Sequence, residues 1–248
     1  MNTLTTSIIL IGAGFLPSYI WLIYYLRKDC HPEPKSMIAK AMIFGILVAP
    51  LAVFAELAYT QTLQYFRPGY NSSSSYSFFL WAAFVEEYVK YLAIRYTILR
   101  SPEFDEPTDA MIYMISASLG FAAIENILVL FRAVPDGFHW AMQIWLLRFT
   151  GATLLHAVSA ALTGYFLALS WFYRQHSSKL IVFGIATATF AHFVFNISLL
   201  STSSQTMGFV YSTIGLIATV ILVSFLFNRI KKRMAEHSTV GNSIEPDK

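Results

Sequence analysis

The sequence predicts an all-α, polytopic membrane bundle of about seven transmembrane helices, with the N-terminus outside and the C-terminus in the cytoplasm. Composition is the first reason: 56% of the 248 residues are hydrophobic and only 12% are charged, whereas soluble domains carry about 25% charged residues. The second is that apolar stretches of about 20 residues, the length that crosses a bilayer, recur along the whole chain. Little length remains for a soluble domain.

Seven apolar segments account for the predicted spans, and each is about as long as a bilayer requires. The start of the chain lacks the basic region of a cleavable signal peptide, so the first segment is predicted to be retained. A serine-rich loop, Ser72–Ser75, precedes the third segment, and an amphipathic stretch from His139 to Phe149 leads into the fifth. The predicted spans cover residues 4–26, 37–59, 77–99, 109–132, 149–173, 179–200 and 208–229.

Residues 1–230 are therefore predicted to form a single transmembrane helical domain, and residues 231–248 a short cytoplasmic tail that is basic at first and then disordered. Basic residues cluster in alternate connections, which the positive-inside rule assigns to the cytoplasm. The net charge of +3 follows from these loops, so it indicates the lipid bilayer as a partner and no nucleic acid. The basic residues are Arg27, Lys28, Lys35, Arg95, Arg100, Arg174, Lys179, Arg229 and Lys231–Arg233, while the opposite loops carry only Arg67, Arg132 and Arg148.

Two adjacent acids, Glu86 and Glu87, stand in the middle of the third apolar segment. A charged side chain there costs at least about 2.5–3.5 kcal/mol, so such residues normally face a polar interior and mark a site. Lys90 lies four residues after Glu86, one helical turn away, and is expected to be its partner. The pair therefore indicates chemistry inside the membrane domain.

Glu86, Glu125, His156 and His192 come from four different predicted helices but lie at one depth. Counted at 1.5 Å per residue, each is roughly 10–14 Å below the outer surface. This agreement predicts one polar cluster, which Asn196 joins because it lies one turn after His192. Other polar residues near the outer helix ends, Glu56, Arg132 and Arg148, are interpreted as interfacial residues.

Two histidines and up to three carboxylates suit two mechanisms. They could hold a divalent metal such as zinc, with a free carboxylate as the general base. They could also act without metal, with a carboxylate that deprotonates water and histidine and asparagine donors that stabilise the oxyanion. A proton-coupled transporter or channel, or a non-catalytic membrane scaffold, would also carry buried polar residues.

Four segments of the chain resemble the motifs of the PrsW family of intramembrane proteases, which is distantly related to the type II CAAX prenyl proteases. Glu86-Glu87-Tyr88-Val89-Lys90 is similar to its EExxK motif, and Gly120–Asn126 to GFxxxEN. The third and fourth motifs correspond to His156 with Gly164-Tyr165-Phe166, and to His192–Asn196. The loop His31–Lys35 resembles the EPEP-like loop of the family, with His-Pro-Glu-Pro in place of a doubled acid–proline.

The resemblance implies hydrolysis of peptide bonds in single-pass membrane proteins, notably anti-sigma factors, within a bacterial cytoplasmic membrane. It assigns water activation to Glu86. Glu87 is counted in the catalytic set as well, but it lies about 100° round the helix from Glu86 and is therefore expected to tune its neighbour or to pair with Lys90. Metal binding, with zinc as the candidate ion, falls to Glu125, His156 and His192, and Asn196 completes the catalytic set. A metal-free glutamate mechanism stays open, as does the scaffold role known in the same superfamily.

Overall fold

The computed structural model describes residues 3–29, 31–69, 71, 75–200 and 205–242. These residues form eight α-helices and no β-strand. A π-helical segment, Arg148–Ala152, joins the fifth helix to the sixth without a break. The helices are α1 Thr3–Leu26, α2 Lys35–Phe66, α3 Tyr76–Thr97, α4 Pro107–Ala133, α5 Phe138–Leu147, α6 Thr153–Phe172, α7 Ser177–Leu200 and α8 Gln205–Asn242.

The predicted polytopic helical bundle is confirmed. Six helical segments of the described chain are long and apolar enough to cross a membrane, and α5, the π-helical segment and α6 count as one of them. α3 is not among the six, although its 22 residues would extend about 33 Å at 1.5 Å per residue. Its charged side chains Glu86, Glu87 and Lys90 lower its hydropathy, but they are buried against other helices.

Several helices are longer than predicted. α2 extends to Phe66, and α8 continues through the basic stretch to Asn242. The apolar face of α8 explains its length, because Phe227 and Ile230 are buried in the core, and Arg233 donates a hydrogen bond of 2.8 Å to the hydroxyl of Tyr173. The tail is thus helical beyond the predicted end of the last span, and residues 243–248 lie outside the described part.

α4 lies at the centre of the bundle, and almost every residue from Pro107 to Ala123 is buried. It packs on α2 at two glycines that leave no room for a side chain. A Cβ atom on Gly45 would lie 1.8 Å from the carbonyl oxygen of Ala117, and one on Gly120 would lie 2.2 Å from that of Met42. Small residues allow membrane helices to approach this closely. The packing fixes the part of α4 that carries Glu125 and Asn126.

Candidate active site

Lys90 is the centre of a buried polar cluster formed by α3, α4, α6 and α7. Its side chain is completely buried, and the Nζ atom lies 2.9 Å from Oε1 of Glu87 and 3.3 Å from Oε2 of Glu86. The same atom lies 2.8 Å from Nδ1 of His156 and 4.4 Å from the centroid of the Phe121 ring. The predicted pairing of Lys90 with the two acids is therefore present, and Lys90 also connects α3 to α6.

The hydrogen bonds of His156 define its tautomer. The ammonium of Lys90 can only donate, so Nδ1 of His156 accepts and its proton is on Nε2. Nε2 then donates to Oε2 of Glu125 over 2.8 Å. The lone pair of Nδ1 thus accepts from Lys90, and Oε2 of Glu86 lies 3.8 Å from the same nitrogen.

His192 has the same kind of arrangement with its two nitrogens exchanged. Nδ1 lies 3.0 Å from Oε1 of Glu87, a carboxylate that is paired with Lys90 and therefore accepts. The proton of His192 is then on Nδ1, and the lone pair of Nε2 is on the side of Glu86, whose Oε2 atom is 3.9 Å from it. The two imidazoles are nearly perpendicular, with ring centroids 5.1 Å apart.

Glu86, His156 and His192 form a group suited to a metal ion. One ligand atom of each lies within 4.8 Å of the other two, and in each imidazole the nitrogen without a proton is the one nearer to Glu86. A carboxylate binds the other nitrogen of each ring, Glu125 at His156 and Glu87 at His192, which is the usual support for a metal-binding histidine. This donor set fits a divalent cation.

The grouping differs from the ligand set expected from the sequence, which contained Glu125 in place of Glu86. Glu125 lies on the far side of His156 from Glu86, hydrogen-bonded to its Nε2 atom. Glu87 pairs with Lys90, one of the two roles predicted for it. It is completely buried, accepts from the hydroxyl of Ser159 over 3.0 Å, and has a second oxygen, Oε2, with no partner among the described residues.

Arg148 contacts the cluster, so its interpretation as an interfacial anchor is wrong. Its guanidinium donates to Oε2 of Glu125 over 3.0 Å and to Oδ1 of Asn126 over 2.6 Å. Asn126 in turn donates to the hydroxyl of Thr153 over 3.0 Å. Arg148 begins the π-helical segment Arg148–Ala152, and such segments are frequent at functional sites.

Asn196, the remaining predicted member, is half-buried on α7 one turn after His192. No hydrogen bond within the described chain connects its side chain to the cluster. Glu56 is also half-buried, and it lines a cavity together with Glu125 instead of reaching the interface alone.

This cavity, of about 400 Å³, lies between α2 and α4 and ends at the cluster. The side chain of Glu125 is 26% exposed, whereas those of Glu86 and Glu87 are 8% and 0% exposed. Glu125 is therefore the carboxylate of the cluster that faces the cavity. The residues that line it are Val53, Glu56, Leu57, Thr60, Gln64, Phe78, Glu125, Leu128, Val129, Arg132 and Arg148.

Comparison with known sequences identifies the family. A family model described as PrsW family intramembrane metalloprotease matches residues 33–226, which is most of the chain. The chain belongs to the PrsW family. All the residues of the buried cluster lie inside the matched region, and the apolar helices make this PrsW-family chain a multi-pass membrane protein.

Curated relatives agree with this assignment. Protease PrsW of Geobacillus kaustophilus is 32% identical over 158 residues, which cover 63% of this chain and 64% of the relative. Protease PrsW of Oceanobacillus iheyensis is 28% identical over 198 residues, or 80% of this chain and 86% of the relative. Protease PrsW of Bacillus subtilis is 31% identical over 122 residues, or 49% and 53% of the two chains. No solved structure matches the chain.

Sequence reasoning missed three residues that support the PrsW-family cluster, namely Arg148, Thr153 and Ser159. Serine and threonine are common in membrane helices as packing residues, so Thr153 and Ser159 give no separate signal. The position of Arg148 in the sequence does provide a signal. It lies eight residues before His156 on one continuous helix, and this spacing of about two turns brings both side chains toward the same neighbouring helix.

Proposed function

We propose that this chain hydrolyses peptide bonds of single-pass membrane proteins, such as anti-sigma factors, in a bacterial cytoplasmic membrane. Glu86, His156 and His192 are the proposed reaction centre. The observation that carries the proposal is that Nδ1 of His156 and Nε2 of His192 lie 3.8 and 3.9 Å from the same oxygen, Oε2 of Glu86. Membership of the PrsW family supports a peptidase in preference to a transporter or a scaffold.

Glu86, His156 and His192 would hold a metal ion, with zinc as the candidate, and the ion would replace Lys90 as the partner of Nδ1 of His156. Two histidines and one glutamate are a common set of protein ligands for catalytic zinc. Three carboxylates, Glu86, Glu87 and Glu125, face only two cationic side chains, Lys90 and Arg148, so the cluster has an excess of negative charge that favours a cation. When bound, the ion supplies Lewis-acid activation of water and of the peptide carbonyl.

The positions of the two histidine protons distinguish between the metal-dependent and the metal-free mechanism. In the metal-free mechanism expected from the sequence, histidine and asparagine N–H groups would donate to the oxyanion. In the arrangement described here the N–H groups instead donate outward, His156 to Glu125 and His192 to Glu87. The hydrogen-bond pattern therefore favours the metal mechanism, and Glu86 becomes a ligand and not the free base expected from the sequence.

His156 connects the proposed centre to the cavity, because its Nε2 atom donates to Oε2 of Glu125 over 2.8 Å. Glu125 faces the cavity, from which the peptide segment of the substrate is proposed to approach. In this proposal Glu87 and Ser159 hold His192 in its tautomer.

Metal content and cleavage of membrane proteins together test the proposal. The full chain and its Glu86→Gln, His156→Ala and His192→Ala variants would be purified and reconstituted with a pool of tagged single-pass membrane proteins. We expect the unchanged chain to contain about one zinc ion and to produce fragments, and we expect each variant to lose both. A Glu103→Gln variant in the exposed loop before α4 is the matched control and should keep both.

The possible outcomes separate the alternatives. If the purified chain contains no metal and its cleavage of substrates is not inhibited by chelators, the metal-free glutamate mechanism is supported. Proton flux in the same vesicles that Glu86→Gln abolishes, without any fragments, would support the transporter. If a Glu86→Ala, Glu87→Ala double variant fully replaces the unchanged protein in cells, the scaffold role is supported and the peptidase is contradicted.

A further inference from the structure

A second group of carboxylates lies at the opposite end of α4 from Glu125. Glu33 belongs to the loop between α1 and α2, Asp105 to the loop between α3 and α4, and Asp109 to the first turn of α4. One carboxylate oxygen of each lies within 4.8 Å of the other two. By the positive-inside prediction this group is on the cytoplasmic side, and none of its residues contacts the reaction centre.

Asp109 is the buried member of the group, with no exposed surface. Its Oδ2 atom accepts hydrogen bonds from the backbone N–H groups of Asp105 and Glu106, at 3.0 and 2.7 Å. Its Oδ1 atom is buried and has no hydrogen-bond partner among the described residues. A buried carboxylate oxygen without a donor is costly, and ligand oxygens of Glu33 and Asp105 lie within 4.8 Å of one of Asp109.

No positive side chain neutralises the group. Within the described residues, no lysine, arginine or histidine nitrogen lies within 4.0 Å of a carboxylate oxygen of Glu33, Asp105 or Asp109; the nearby His31 is paired with Glu106 over 2.5 Å instead. Three carboxylates that lie close together without a cationic neighbour favour a bound cation.

We propose that Glu33, Asp105 and Asp109 bind a hard divalent cation of the Mg²⁺, Mn²⁺ or Ca²⁺ class. The group offers only oxygen atoms, which these ions prefer, and no nitrogen or sulfur ligand that would select zinc. Tyr113 orients the site, because its hydroxyl donates to Oε2 of Glu33. The bound ion ties both loops to the start of α4, so it stabilises the helix at whose other end Glu125 lies.

Titration of the purified full chain with Mn²⁺, followed by electron paramagnetic resonance, tests this site. The chain is first stripped with a chelator, and His156→Ala and His192→Ala are introduced together so that the reaction centre contributes no binding. We expect one Mn²⁺ ion to remain bound by this double variant. Adding Asp105→Asn should weaken binding about tenfold or more, the scale of losses when support for a metal is removed.

The choice of Asp105 keeps the test independent of folding, because its side chain is exposed whereas Asp109 caps α4. Adding Glu103→Gln instead, at an exposed carboxylate two residues away in the same loop, is the matched control and should leave Mn²⁺ binding unchanged. Competition by Mg²⁺ and Ca²⁺ identifies the preferred ion. Equal binding with and without Asp105→Asn, no bound Mn²⁺ at all, or displacement by Zn²⁺ alone would overturn the proposal.

Discussion

At the scale of single residues, Lys90 is the cation at the centre of the buried cluster. It is a completely buried ammonium that contacts two carboxylates and an imidazole. Burial of an isolated charge in a protein interior is expensive, and removal of one partner leaves the others uncompensated. We therefore expect Lys90 to compensate the charges of Glu86 and Glu87 inside the bundle.

We predict that Lys90→Met destabilises the protein by about 3–5 kcal/mol, the range found when a buried charge loses its partner. The loss of thermal stability in detergent micelles measures this effect. Lys232→Met is the control, since Lys232 is 81% exposed and 4.0 Å from Glu236, and exposed pairs contribute about 1 kcal/mol or less. Equal effects of the two substitutions would show that Lys90 does not compensate the acids.

Arg148 is predicted to act through Glu125 and Asn126. We expect Arg148→Gln to reduce peptide cleavage about 10- to 100-fold, the usual effect of losing support around a metal site, while the chain keeps its zinc. Arg148→Lys keeps the charge but loses the two-pronged contact, so it should restore activity only in part. Cleavage of the tagged membrane proteins and zinc content are measured together, with Arg174→Gln in an exposed turn as the control.

A result in which Arg148→Gln loses zinc as completely as His156→Ala would contradict the supporting role. It would instead indicate that Arg148 is needed to assemble the cluster. Full activity of Arg148→Gln would show that the contacts with Glu125 and Asn126 have no influence on the reaction.

The main members of the site could be predicted because charged and strongly polar side chains cost free energy inside a membrane. Glu86, Glu125, His156 and His192 stand out in apolar helices, and their common depth predicted that they meet. The contacts between them could not be predicted in the same way. Which nitrogen of His156 faces Glu125 depends on how α4 and α6 are rotated, and the sequence contains no measure of that rotation.

At the scale of helices, the close packing of α2 on α4 determines where the cluster lies. Gly45 and Gly120 bring the two backbones together, and the next turn of α4 after Gly120 carries Glu125 and Asn126. The GFxxxEN motif thus combines a packing glycine, a phenylalanine whose ring lies over Lys90, and two polar residues of the site.

We predict that Gly45→Ala destabilises the bundle by about 1–3 kcal/mol, the usual cost of overpacking. The added methyl group would lie 1.8 Å from the backbone oxygen of Ala117, so the helices would have to separate. Gly12→Ala on α1 is the matched control, because nothing lies within 4 Å of its added Cβ atom. The unfolding temperatures of the two variants are measured in detergent micelles. Equal stability of Gly45→Ala and Gly12→Ala would contradict the close contact between α2 and α4.

Helix bounds were harder to predict than helix positions. Hydropathy indicates where lipid surrounds a helix, but it does not indicate where the helix ends. α8 continues past its predicted end because buried Phe227 and Ile230 extend its contacts with the core. α3 was correctly predicted as a helix, yet its charges are tolerated because protein and not lipid surrounds them.

At the scale of the whole molecule, the fold places two sets of loops at opposite ends of the bundle. The connection between α1 and α2 lies at one end, and the turn Val134–Asp136 after α4 lies at the other. The basic residues of the chain are concentrated at the first end, which the positive-inside rule assigns to the cytoplasm. The cavity at Glu125 would then open toward the outer half of the membrane.

Labelling of cysteines from outside the cell tests this orientation. Cys30 is the only cysteine of the chain and belongs to the connection between α1 and α2. We predict that a membrane-impermeant maleimide labels it only after the membrane is permeabilised. In a Cys30→Ser, Asp136→Cys variant, the same reagent should label the exposed turn after α4 in intact cells. The opposite pattern would invert the bundle, and the proposed substrate approach would then have to start from the cytoplasmic half of the membrane.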